Sequence, residues 1–265
     1  MNRPSPATRE PINRIPELLA AFRLPTLAEE MVPRLRQAGL ESVLPTLCEI
    51  LELEAGDRRE RRTARLLKAS HLPPGKTFDT FEEKRLPAPL AQKLRELARG
   101  EFLDRAVNVL AFGLPGVGKS HAACALGHAL VAAGRSVYFT PAFQIVQEML
   151  AAKRDLALPR FLQKLDLFEL VVLDDIGYVQ QSAEEAEVLF TLMSERYERR
   201  SLLVTSNLVF SEWERIFKSP MTTVAAIDRV VHHSVILEFD VTSFRGEEAN
   251  KRESVKADSK KRNTR

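Results

Sequence analysis

The chain has 265 residues, 45% hydrophobic and 28% charged, with a formal charge of +3. That length accommodates one large domain, or one α/β domain with a smaller appendage, around a substantial core. No apolar run approaches the roughly eighteen residues of a membrane helix, and the start MNRPSPATREPINR is polar and proline-rich rather than a signal peptide, so a cytoplasmic protein without a membrane role is expected.

Residues 1–14 read as disordered. From Pro16 to about Ser70 apolar residues recur at helical spacing, with Leu18, Leu19 and Phe22, then Leu27, Met31 and Leu35, then Val43, Leu47, Ile50 and Leu51. Gly39 and Gly56 punctuate this stretch into three helices, a small bundle over residues 15–70. Cys48 and Cys124 fall in such apolar patterns without other metal-type ligands at short spacing, so both read as small buried hydrophobes. The modest net charge is unevenly spread. DRRERRTARLLK (57–68) holds six basic and two acidic residues, and NKRESVKADSKKRNTR (250–265) holds seven and two. Both runs point to a polyanionic partner, with a solvated helix face and a disordered tail as the plainer readings.

Residues 71–105 read as a linker: HLPPGKTFDTFEEKRLPAP carries four of the 15 prolines and two candidate buried aromatics, Phe78 and Phe81, before a short helix from Leu90 to Arg99. From Val107 the texture changes. VNVLAF, VYFT, LVVL, SLLVTS and VILEF read as strands, alternating with helices from Lys119 to about Ala133, near 143–152 and 158–165, over 183–199, and within 211–233. Strand and helix in regular alternation predict a parallel five-stranded sheet covered on both faces, over residues 106–249, with the basic tail 250–265 beyond it.

The chemistry-bearing motif is GLPGVGKS, comprising Gly113, Leu114, Pro115, Gly116, Val117, Gly118, Lys119 and Ser120, between the first strand and a helix. The glycines let backbone N–H groups turn inward around a β-phosphate, and the helix N-terminus adds positive potential. Lys119 reaches the β- and γ-phosphates and Ser120 presents a hydroxyl to Mg²⁺. A glycine-rich turn that binds nothing is the alternative. The second signal is LVVLDD, where a buried strand ends in two carboxylates, costly unless positive charge faces them. Asp174 is placed to hold Mg²⁺, and Asp175 to orient or deprotonate the attacking water, or else to serve as a loop or capping carboxylate. Asn207, ending SLLVTSN, comes out beside them if the two strands are neighbours.

These residues resemble the IstB-like helper ATPases of bacterial insertion sequences, a branch of the AAA+ superfamily close to the DnaC helicase loaders. The resemblance runs from about Leu24 to Arg245 and rests on GLPGVGKSH (with His121), LDDIGYV, SERYERRSLLVTSNLVFSEW, AAIDRVVHHS and TSFR. It implies an AAA+ domain behind a small all-α domain, ATP and Mg²⁺ as ligands, and ATP hydrolysis. By the same resemblance Asn207 is the sensor 1 residue, Arg229 an arginine finger completing a neighbouring subunit's site, and Arg245 the sensor 2 arginine. Surface ion pairs, with Asp228 beside Arg229 and Glu247 and Glu248 near Arg245, are the alternative.

What the resemblance implies for function is an ATP-dependent assembly factor, located in the bacterial cytoplasm and on the nucleoid when DNA-bound. It oligomerises on duplex DNA, deforms it and presents it to the transposase of the same element. Candidate DNA contacts are Arg58, Arg59, Arg61, Arg62 and Arg65 in the helical module and Lys153 and Arg154 after the second strand. The departure is Asp175, where AAA+ proteins more often carry glutamate. Its reach is shorter by about 1.5 Å, so hydrolysis is expected to be slow unless Glu184 or Glu185 folds back. The competing readings are a loader of a replicative helicase and a non-hydrolysing nucleotide-dependent scaffold. His232 and His233 look like metal ligands only in isolation: no third ligand is visible in the sequence, and the helix context favours packing or surface roles.

Overall fold

A computed structural model describes residues 11–178 and 182–240. The chain divides into two compact units between Ala64 and Arg65, a point that falls inside a helix. The first unit is built from α1 (Pro11–Ala21), α2 (Pro25–Gln37) and the first part of α3 (Leu44–Ser70). Its core is Ile15, Leu19, Val32 and Leu44, with Phe22, Met31, Leu35 and Leu47 packed around it.

Two expectations are corrected here. The first helix begins at Pro11, within the stretch read as disordered; proline suits the first helical turn because its missing N–H has no partner there. Arg14 then ties α1 to α3 through Glu52. Secondly, Gly56 does not end a helix. The breaks fall at residues 22–24 and 38–43, and α3 continues for 27 residues straight through Gly56. A mid-helix glycine costs about 1 kcal/mol relative to alanine. Tertiary burial of Ala55 and the Glu54–Arg58 pair one turn apart (2.6 Å) offset that cost.

In the second unit, a strap over residues 71–86 leads to α4 (Ala88–Leu97). Phe81 is buried and Phe78 partly so, in the same cluster. Five strands follow, β1 (Asn108–Gly113), β2 (Val137–Pro141), β3 (Leu170–Asp174), β4 (Ser201–Ser206) and β5 (Ser234–Phe239). All pair in parallel, in the order β2-β3-β4-β1-β5. The helices between them are α5 (Lys119–Ala132), α6 (Ala142–Arg154), α7 (Leu158–Leu165), α8 (Ala183–Arg196), α9 (Glu214–Phe217) and α10 (Pro220–Val231).

Strand periodicity sorts the core into two layers. Val109 and Ala111 of β1, with Val172 of β3 and Leu203 of β4, pack against Ala122, Leu126 and Leu130 of α5. Leu110 and Phe112, with Val171, Leu173 and Val204, face Met149, Leu189 and Ala226 of α6, α8 and α10. Continuous apolar strands are what a sheet buried on both faces demands.

Two polar side chains fix the strand ends. Asn108 accepts from Leu202 N (2.8 Å) and donates to Val230 O (3.1 Å), tying β1 to β4 and to the end of α10. Arg196 is fully buried and donates to Leu165 O, Phe168 O and Ser201 O, clamping the approaches to β3 and β4. Burial lowers its pKa to about 9. Beyond Asp240, Arg245 and the tail 250–265 lie outside the described residues.

Candidate nucleotide site

The C-terminal ends of β3, β4 and β1 are consecutive in the sheet, so Asp174, Asn207 and the phosphate loop emerge on one edge, where ligands of open α/β sheets bind. The loop leaves β1 at Gly113. Leu114 and Pro115 stand exposed at its tip, Val117 is anchored in the core, and Gly118 takes a left-handed φ of 97° immediately before α5. That conformation is cheap only for glycine, and it turns the chain so that α5 presents its N-terminus to the loop. Lys119, only 4% exposed, donates from Nζ to Gly113 O (2.7 Å) and Leu114 O (2.8 Å), so its ammonium is held against the loop. Ser120 is the second residue of α5.

His121, the next residue of α5, is bound elsewhere. Its Nε2 lies 3.2 Å from Thr77 O and 3.1 Å from Thr80 Oγ1, and its ring lies 5.1 Å from that of Phe81. The histidine of the motif therefore docks the strap onto α5.

The acidic pair is organised by a residue that the sequence reading did not single out. Thr205 of β4 is fully buried, and its hydroxyl donates to Asp174 Oδ1 (2.6 Å) while accepting from Asp175 N (2.8 Å). One hydroxyl thus fixes a carboxylate and the amide beyond it. The strand register, Leu173 opposite Val204, carried one step on, sets Asp174 beside Thr205. Asp175 sits at φ 59°, a left-handed conformation that aspartate tolerates better than most residues, and it is half-buried.

Asn207 stands over the same loop. Its Oδ1 is buried without a hydrogen-bond partner among the described residues, and a Cβ added at Gly177 would lie 2.0 Å from it. Glycine in LDDIG therefore makes room for the amide. The following segment fixes that loop: Trp213, fully buried, donates from Nε1 to Leu208 O (3.3 Å), and Phe210 packs edge-on against Phe112. A cleft of about 500 Å³ borders the loop, lined by Gly113, Leu114, Asn207, Phe210 and Phe239 among others, a size that holds a small ligand.

Glu185 is committed elsewhere. It closes the capping box of α8 with Ser182 and accepts from Gln147 Nε2 (2.8 Å), while Glu184 is exposed in the first turn.

Arg229 is not part of this edge. Asn108, at the opposite end of β1, donates from its side-chain amide to Val230 O and from its main-chain N–H to His233 O (2.7 Å). Gly113 lies five residues along the strand, about 16 Å away at ~3.3 Å per residue. The Arg229 guanidinium rests over the Phe190 ring (4.7 Å) and donates to Ala225 O (3.1 Å). Among the described residues no carboxylate pairs with it, so the ion pair with Asp228, the alternative reading, is not formed.

The candidate DNA contacts Arg58, Arg59, Arg61, Arg62 and Arg65 are all exposed on α3. Arg58 and Arg61 share Glu54, and Arg58 stacks on Phe22 (4.2 Å). Lys153 pairs with Glu187 (2.7 Å), and Arg154 is exposed at the end of α6.

The family model described as IstB-like ATP binding protein matches residues 18–254. This chain belongs to the IstB-like ATP-binding family. An insertion sequence ATP-binding protein of Sinorhizobium fredii is 42% identical over 88% of this chain and 79% of its own length. The insertion sequence IS21 ATP-binding protein of Pseudomonas aeruginosa is 35% identical over 88% and 89%. Among solved structures, the DnaC helicase loader matches with a TM-score of 0.53 at 16% identity, covering 67% of this IstB-like chain and 99% of the loader. The replication initiator DnaA, bound to AMPPCP and single-stranded DNA, matches at 0.54 and 15% identity, over 65% of this chain and 52% of its own. At such identity these two speak to the fold alone, a parallel sheet with helices on both faces.

Proposed function

We propose that this IstB-like protein is an ATP-timed assembly factor that oligomerises on duplex DNA through its nucleotide sites, deforms the DNA and presents it to the transposase of its element. The observation that carries this reading is Arg229. Its guanidinium has no carboxylate partner among the described residues and lies near the sheet edge opposite its own phosphate loop. An arginine so placed serves a second subunit's nucleotide, acting as a finger supplied in trans.

Within one subunit, the loop amides and Lys119 would bind the β- and γ-phosphates, with Ser120 and Asp174 holding Mg²⁺. The residues fit these ligands: the Asp174 carboxylate keeps acceptor capacity beyond its bond from Thr205, and Asn207 Oδ1, buried with no partner among the described residues, needs a hydrogen-bond donor such as water. When bound, Mg²⁺ neutralises charge on the transferring phosphoryl group. Asn207 and Asp175 orient the attacking water, and the short Asp175 side chain, with Glu185 taken up by the helix cap, makes turnover slow. Arg245, outside the described residues, is kept as the proposed sensor 2 arginine.

The helical stretch over residues 15–70 is the proposed DNA-binding module. Arg58, Arg61, Arg62 and Arg65 recur at i, i+3, i+4 and i+7, one face of a helix, with Arg59 beside it. Such contacts grip phosphates without reading sequence. Lys153 and Arg154 are proposed to add contacts within an assembled ring. The relatives' names as insertion sequence ATP-binding proteins favour the transposase partnership over helicase loading. Electron microscopy with duplex DNA in ATP, in ADP and without nucleotide tests the reading: assemblies should form with ATP only, and Lys119→Ala should abolish them. Unchanged assembly by that variant would contradict it.

A further inference from the structure

The fold supplies the partner that His232 and His233 lack in the sequence. These two residues form the turn between α10 and β5, and Glu198 lies in the turn between α8 and β4. Glu198 Oε1 is 3.7 Å from His233 Nε2 and 4.0 Å from His232 Nδ1, and three donor atoms of the group lie within 4.8 Å of one another. The two imidazoles stand 4.2 Å apart, and the Tyr197 hydroxyl is 2.9 Å from His232 Nδ1.

From this juxtaposition we infer that Glu198, His232 and His233 form a binding site for a divalent transition ion of the zinc, cobalt or nickel type, separate from the nucleotide site. Two imidazoles and one carboxylate are a donor set for such ions, which take nitrogen ligands readily where magnesium prefers oxygen. Around a tetrahedral ion with bonds of about 2.0–2.2 Å, ligand atoms sit roughly 3.4 Å apart. The two distances from Glu198 exceed that by a few tenths of an ångström and the whole set spans at most 4.8 Å, so rotation of these exposed side chains about their χ angles has to draw the donors together. With neutral imidazoles the three ligands carry one negative charge against the ion's two positive ones. Water completes the coordination, with Tyr197 beside it as a hydrogen-bonding neighbour.

An ion here would join two turns far apart in sequence and so pin the C-terminal end of α10, three residues past Arg229. The binding claim itself does not depend on Arg229 being a finger. It also differs from an ordinary exposed ion pair, which contributes little and selects no metal.

The test uses full-length, tag-free protein, stripped with chelator and without nucleotide, titrated with Co²⁺ and followed by its visible absorption. A Zn²⁺ titration against a chromophoric chelator gives the affinity. One saturable equivalent is expected, displaced by Zn²⁺ and unmoved by millimolar Mg²⁺. Glu198→Gln should weaken binding at least about tenfold and His232→Gln/His233→Gln on the order of a hundredfold or more. Binding of fluorescent ATP should be retained in both variants, which establishes that they fold. Absence of saturable Co²⁺ and Zn²⁺ binding, or binding unchanged in the double histidine variant, would overturn the assignment.

Discussion

Replacing Thr205 by valine keeps the shape of a fully buried side chain and removes the single hydroxyl that serves both members of the acidic pair. The lost hydrogen bond to the Asp174 carboxylate is worth about 1.5–3 kcal/mol, and the Asp175 amide left without its acceptor costs about 1–3 kcal/mol more. A destabilisation of about 2.5–6 kcal/mol follows, a large part of the 5–15 kcal/mol or so that stabilises a typical domain. Trp213 is the one tryptophan of the chain and is buried in the same unit, so its fluorescence reports urea unfolding directly. Thr205→Ser keeps the hydroxyl and should lose only about 1 kcal/mol, for one methyl. ATP hydrolysis should fall in Thr205→Val by tenfold or more, since a shift of about 1 Å in a catalytic group can cost on the order of a hundredfold. If Thr205→Val unfolds within 1 kcal/mol of the parent, roughly the worth of that methyl, and hydrolyses ATP at the parent rate, the hydroxyl does not organise the site.

Three further outcomes are expected. Gly177→Ala drives a Cβ into the Asn207 amide, so ATP turnover should drop with nucleotide affinity nearly unchanged; equal turnover would remove Asn207 from the reaction. If the five arginines of α3 grip phosphates, log affinity for duplex DNA should fall with log salt at a slope of roughly −4 to −5, and Glu54→Gln, which releases Arg58 and Arg61, should tighten binding; a slope near zero, or no gain from Glu54→Gln, would take this helix off the DNA. Cys124 is fully buried behind the phosphate loop and its thiol is pushed up to about 12, so a thiol reagent near neutral pH should modify Cys48 in the native protein and Cys124 only in denaturant. Rapid native reaction of both thiols would show that α5 does not pack as described.

The sheet was legible because each strand is an apolar run bounded by turn residues, and the phosphate loop because its glycine spacing has one well-known use. Helix ends were harder. Gly56 looked like a stop, yet tertiary burial and a local ion pair carry α3 through it. Partnerships across strands were invisible for a different reason. Thr205 meets Asp174 only once β3 and β4 are known to be neighbours, and Glu198 meets His232 and His233 only once α8 and α10 pack side by side. Nothing in SERYERR marks Arg196 off from its basic neighbours, yet it is buried and donates to three main-chain carbonyls. Asn207 was legible as an amide just past a strand, while the need for glycine at 177 opposite it depends on three-dimensional proximity.

The central claim, that ATP sites are completed between subunits, is tested most directly by mixing two inactive variants. Lys119→Ala lacks its own phosphate grip but keeps Arg229, and Arg229→Ala keeps an intact loop but lacks the finger. Each alone should hydrolyse ATP at background rate on duplex DNA. Mixed in equal amounts they should recover a substantial fraction of the parent rate, because some interfaces pair an intact loop with an intact Arg229. A mixture as inactive as its two components would contradict the account.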